Sequence, residues 1–126
     1  MSETTLPAGT GRRFRFANAH EIPEGERLVR NVGGRSVGVF NVGGRFFALH
    51  NRCPHRGGAL CLGPVTWTAL PTDEYRYEYG REGEILRCAW HGWEFEIESG
   101  RCLADRRVRA RTFRVEVEDD AVYVVV

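Results

Sequence analysis

At 126 residues, 42% apolar and 28% charged, the chain has the length of one domain and the composition of a globular protein; this excludes a disordered chain and leaves no room for a second catalytic domain. A formal net charge of +1 supplies no whole-molecule field that would draw it to nucleic acid or to an anionic membrane. No stretch approaches the roughly 18 apolar residues of a membrane span.

Residues 1–12 are small, polar and without periodicity, and are expected to form a flexible leader ahead of a single domain over 13–126. Arg12-Arg13 has the look of a twin-arginine export signal, but the apolar run that should follow is missing from residues 17–27. Strands are predicted at 27–32, 36–42 and 45–49, short runs rich in Val, Phe and Leu separated by Gly33-Gly34 and Gly43-Gly44, whose freedom at positive φ suits tight hairpins. Tyr75, Tyr77 and Tyr79 alternate with Arg76 and Glu78, a turn is expected over Gly80 to Gly83, and a returning strand over 84–87. Phe113 to Glu118 alternates Phe113, Val115 and Val117 inward with charged residues outward, and Asp119-Asp120 turns the chain into a last strand from Ala121. No helix longer than a turn or two is expected. Five arginines lie within 105–114, and the acidic residues that follow mark a solvated strand face rather than a nucleic-acid arm.

Segment 50–103 holds all four cysteines, three of the four histidines and all three tryptophans. Two short runs each offer one cysteine and one histidine, Cys53-Pro54-His55 and Cys88-Ala89-Trp90-His91. A Rieske-type [2Fe–2S] cluster wants two thiolates on one iron and two imidazoles on the other, so two facing loops of this kind supply both pairs. A mononuclear Cys₂His₂ zinc site is the alternative the same donors allow, although zinc fingers usually pair cysteine with cysteine. Gly57, Gly58 and Gly92 beside the histidines leave space for backbone N–H groups to approach sulfur.

The runs C-P-H-R-G-G and C-A-W-H-G-W-x-F resemble the Rieske [2Fe–2S] ferredoxin family and the Rieske domains of ring-hydroxylating oxygenase systems, over roughly residues 14–126. The resemblance implies an all-β Rieske fold, an antiparallel basal sheet carrying a small cluster-binding subdomain of two loops, here about 50–103. It implies one [2Fe–2S] cluster held by Cys53, His55, Cys88 and His91, with Arg56, Gly57, Trp90, Gly92 and Trp93 around it. The long spacing between His55 and Cys88 marks residues 64–80 as an insertion carrying Trp67 and the tyrosine row. High-potential members add a disulfide and two hydroxyl donors; at those positions this chain has Gly58 and Trp90, Trp93, and Phe95. A midpoint near the low end of the roughly −150 to +300 mV Rieske range is therefore expected.

The implied function is a ferredoxin-like electron carrier between a flavin-dependent reductase and a terminal oxygenase. The alternatives are a Rieske small subunit of a larger reductase of the nitrite reductase type, or a zinc-binding module. Neither nucleic acid nor membrane is an expected partner, and the cytoplasm is the expected compartment. Cys61 and Cys102 are expected as buried free thiols, and His20 and His50 as surface or accessory groups.

Overall fold

The computed structural model describes all residues except 1–2, 7–8, 55–56, 72–76, 89–92 and 106. In chain order its strands are β1 (Glu3–Leu6), β2 (Gly9–Asn18), β3 (Arg27–Val32), β4 (Arg35–Val42), β5 (Arg45–His50), β6 (Val65–Pro71), β7 (Tyr77–Arg87), β8 (Glu94–Glu96), β9 (Thr112–Glu118) and β10 (Ala121–Val125). Two single-turn 3-10 helices, Ala19–Glu21 and Leu60–Leu62, are the helical content of the described residues.

Seven strands form one antiparallel sheet in the order β1-β2-β10-β9-β5-β4-β3, and β6-β7-β8 form a second. Both glycine pairs make the expected hairpin turns, with φ of 58° and 84° at Gly33 and Gly34 and 61° and 91° at Gly43 and Gly44. Asp119 and Asp120 do the same work between β9 and β10 at φ of 50° and 62°, a backbone that Asp tolerates better than most side chains.

β4 and β5 form the wall between two cores. Successive strand residues point to opposite faces, so Val37, Val39 and Ala48 pack with Phe16, Ile22, Val122 and Val124, whereas Phe40 and Leu49 face the other way toward Leu60, Leu86, Phe95 and Ile97. All four cysteines are in this second core. Mid-strand Gly38 faces it too, because a Cβ there would lie 2.6 Å from both Cβ and Sγ of Cys61.

Three expectations need correction. Residues 3–6 and 9–12 are paired as strands, with Glu3 opposite Arg12, rather than lying loose. The run Gly80 to Gly83 does not turn: β7 passes straight through it. Between the pairs Thr66↔Ile85 and Thr68↔Gly80, β6 advances two residues and β7 five, so the surplus is taken up as a bulge, which glycine-rich sequence accommodates as readily as a turn. Val117, expected inward, is 51% exposed, since β9 pairs with β5 only at Phe113 and Thr112 and its far end has no core to cover. The tyrosine row falls on residues outside those whose side chains are described.

Arg13, half of the arginine pair, is committed to the sheet: its guanidinium stacks 3.6 Å over Tyr123 and pairs with Glu118 at 2.7 Å. Of the arginines in 105–114, Arg107 pairs with Asp105 and Arg114 with Glu116, in keeping with a solvated face. No described helix is long and apolar enough to cross a membrane.

Candidate metal centre

The first loop leaves the end of β5 at His50. Asn51 anchors its start three ways: its N–H donates to the Ser36 carbonyl (2.8 Å), its Nδ2 to Ser36 Oγ (3.1 Å), and its Oδ1 accepts the Cys61 N–H (2.7 Å). Nothing in the sequence singled out Asn51, because its two partner residues, Ser36 and Cys61, lie ten or more residues away. The loop then closes on itself. Cys53 N–H donates to the Gly58 carbonyl (2.7 Å) and Gly57 N–H to the Cys53 carbonyl (2.7 Å), a tight reversal that sets Gly57 at φ 78°.

The second loop leaves the end of β7, where Arg87 N–H donates to the Pro64 carbonyl (2.9 Å). Its closure repeats the first: Cys88 N–H donates to the Trp93 carbonyl at 2.8 Å. In each loop the cysteine amide bonds the carbonyl five residues on, and in sequence the histidine of the motif lies between those two residues. His55, Arg56, Trp90, His91 and Gly92 themselves lie outside the described residues. Gly57 is exposed, and Trp93 is half-buried against the second core.

Cys53 and Cys88 are 0% and 1% exposed and share that core with Leu60, Leu86 and Phe95. Two shielded thiols from two equivalent loops, each loop carrying a histidine beyond its cysteine, are a donor set that fits a two-iron cluster with one end sunk in protein. Phe95, fully buried, brings no hydroxyl to this neighbourhood. The other two cysteines are buried free thiols as expected. Cys61 lies with Sγ 3.5 Å from the Leu49 carbonyl, and burial pushes its thiol up to about 12. Cys102 bridges Phe95 of β8 from the segment that follows it.

The two remaining histidines differ. His20 is exposed, its Nδ1 2.6 Å from Asp120 Oδ2. His50 is half-buried and packs edge-on against Phe113, with ring centroids 6.3 Å apart. Burial, then the charges of Arg35, Arg111 and Arg52, hold its imidazole below the usual histidine pKa.

An antiparallel β protein with two cysteine loops of matched closure, both cysteines buried in one core, is the architecture of a small iron–sulfur protein. Comparison with known families agrees: the Rieske [2Fe-2S] domain matches residues 12–118, and the chain belongs to that family. Its cofactor is a [2Fe–2S] cluster. Among relatives, the ferredoxin component of biphenyl 2,3-dioxygenase from Rhodococcus jostii is 29% identical over 111 residues, 87% of this chain and 89% of that one. Oxidoreductase NdmD of Pseudomonas putida is 30% identical over 90 residues, 71% of this chain but 13% of its own length, so the likeness covers one part of a larger protein. In fold the chain is similar to the ferredoxin of carbazole 1,9a-dioxygenase from Nocardioides aromaticivorans IC177, with a TM-score of 0.71 at 20% identity over 89% of this chain and 95% of that one. It is likewise similar to a chain in a complex of reduced oxygenase and oxidized ferredoxin in carbazole 1,9a-dioxygenase, with a TM-score of 0.67 at 24% identity over 89% of this chain and 91% of that one.

Proposed function

We infer that the chain is a low-potential one-electron carrier, a ferredoxin-like component that takes electrons from a flavin-dependent reductase and delivers them to a terminal oxygenase. Cys53 and Cys88 hold one iron of its cluster, and His55 and His91 the other. The observation that carries this reading is the pair of buried thiols in one core, each on a loop closed by the same cysteine-amide bond to the carbonyl five residues on. Support for the partners comes from the relatives, named as ferredoxin components of oxygenase systems, and from the ferredoxin seen with an oxygenase.

When bound, the cluster takes up and returns one electron. The chain supplies the rest. The apolar core around Cys53 and Cys88 keeps water from the thiolates, and the two loop closures hold the cysteine backbone in place whichever redox state is present. Phe95 and the glycines of the first loop offer no hydroxyl to stabilise added negative charge, which favours a low midpoint. Segment 50–103 bears the cluster, and the seven-stranded sheet, β1 and β2 included, supports it. Buried free thiols at Cys61 and Cys102 suit a reducing cytoplasm.

Anaerobic redox titration followed by visible absorption and EPR tests the reading. A Rieske spectrum with a midpoint near the low end of the family range is expected, lost in His55→Ala and His91→Ala while the β-sheet circular dichroism stays. A midpoint near the high end refutes the low-potential argument, an unchanged spectrum in either variant refutes the ligands, and zinc in place of iron refutes the carrier.

A further inference from the structure

Several guanidinium groups of this lysine-free chain meet a carboxylate: Arg13 with Glu118 at 2.7 Å, Arg45 with Glu98 at 3.2 Å, Arg87 with Glu94 at 3.0 Å, Arg107 with Asp105 at 3.1 Å and Arg114 with Glu116 at 2.9 Å. Of the described arginines for which no such pair is seen, three lie together: Arg35, Arg52 and Arg111. All three are exposed, and none has an ion pair among the described residues.

The backbone gathers these three at one end of the seven-stranded sheet, where the first loop departs. His50, at the end of β5, pairs with Val37, two residues from Arg35; its N–H donates to the Arg111 carbonyl (2.8 Å), and its carbonyl accepts the Arg52 N–H (2.7 Å). Two of the side chains are fixed by their neighbours: the Arg111 guanidinium sits 5.1 Å over the Phe113 ring that His50 meets edge-on, and Arg52 reaches forward over the loop, its Nη2 3.4 Å from where a Gly57 Cβ would be. Burial first, and then the charges of Arg35, Arg111 and Arg52, lower the His50 pKa, so all three guanidinium groups lie within electrostatic reach of this one ring.

We propose that Arg35, Arg52 and Arg111 form the docking face for an acidic protein partner, whose carboxylates meet these guanidinium groups beside the cysteine-histidine loop at 53–58. This rests on the carrier reading above and specifies the charge of the surface that carrier meets. Guanidinium pairs carboxylates in forked, directional contacts, and uncompensated charge beside a redox loop steers encounter toward that loop. Three charges on a chain of net +1 form a compact patch rather than the extended phosphate track of a nucleic-acid site.

The test mixes reduced, cluster-loaded protein in a stopped-flow instrument with one of two haem proteins of opposite surface charge, acidic cytochrome b5 or basic cytochrome c. In each reaction one electron leaves the protein and one ferric haem becomes ferrous. Haem reduction in cytochrome b5 is expected to slow as salt rises. It should also fall about 10-fold at low salt in the double variant Arg52→Glu, Arg111→Glu, whereas cytochrome c responds in the opposite sense. Arg45→Glu, at the other end of β5 and about 17 Å away at ordinary strand rise, should change neither. Should the Glu variants lose iron, Arg52→Gln, Arg111→Gln gives the same order with a smaller drop. Equal responses with both haem proteins overturn the proposal, as does loss of binding to a labelled DNA duplex with haem reduction unchanged, which would make the partner a nucleic acid. Failure of the loaded wild-type protein to reduce either haem overturns the carrier reading instead.

Discussion

Cys61 shows how one buried side chain constrains its surroundings. Its N–H is held by Asn51, its Sγ faces the Leu49 carbonyl, and its Cβ takes the space that would belong to a side chain at position 38. Burial pushes the thiol from the ordinary 9.0 to about 12, while the Gly38 backbone and Arg27 pull the other way without prevailing. In the unfolded chain this thiol ionises near its ordinary value, so above that pH the folded state binds more protons than the unfolded one. The thiol's contribution to stability is therefore complete below pH 9.0 and is lost progressively as pH rises toward about 12. Urea unfolding across that alkaline range should show wild-type stability falling with pH, and Cys61→Ala, less stable at neutral pH through the void it leaves, falling less steeply. Parallel slopes would mean that another group is linked. The same burial predicts that Cys61 resists alkylation until the protein unfolds.

At the level of elements, the junction between the Leu60–Leu62 turn and the end of β7 matters most. A Cβ on Gly63 would run into the Arg87 carbonyl oxygen, and the Arg27 guanidinium donates to the Gly63 carbonyl on the same short stretch. Since Arg87 delivers Cys88, Gly63→Ala should displace the start of the second loop. A stability loss of about 1–3 kcal/mol is expected from such overpacking, together with reduced iron content. Gly43→Ala is the contrast: at φ 61° with open space around it, it should cost only backbone strain and leave iron content unchanged. Unchanged iron in Gly63→Ala would show that this contact does not place Cys88. These two glycines also mark what can be read from sequence. Gly43-Gly44, Gly33-Gly34 and Asp119-Asp120 act on their immediate neighbours, so their turns and the strands between them were legible. So were the two cysteines that the loop closures bring into the second core, because each lies in a short contiguous run. Gly38 against Cys61, Gly63 against Arg87 and the three-way anchoring of Asn51 were not, since each answers to a residue distant in sequence. The run from Gly80 to Gly83 misled for the complementary reason: glycine permits a turn or a bulge alike, and the pairing partner β6 decided.

For the molecule as a whole, the two cores differ in what completes them. The core of Phe16, Ile22, Val37, Val39, Val122 and Val124 is aliphatic and aromatic throughout and finished without any cofactor. The other contains Cys53 and Cys88; under the ligand assignment proposed above their thiols bind the cluster, and part of this core's cohesion then comes from binding linked to folding. β4 and β5 contribute to both, which lets one core survive the loosening of the other. Removal of the cluster by anaerobic chelation should accordingly be uneven in hydrogen exchange. Amides of β7 and β8 and of the two loop closures, Cys53 to Gly58 and Cys88 to Trp93, should lose protection first, while those of β4, β9 and β10 stay near their loaded values. Far-ultraviolet circular dichroism should retain most of its strand signal, and a second, higher-temperature transition should belong to the cofactor-free core. A uniform loss of protection across all strands would instead mean that the shared wall of β4 and β5 couples the cores into one cooperative unit, and that the cluster stabilises the entire chain.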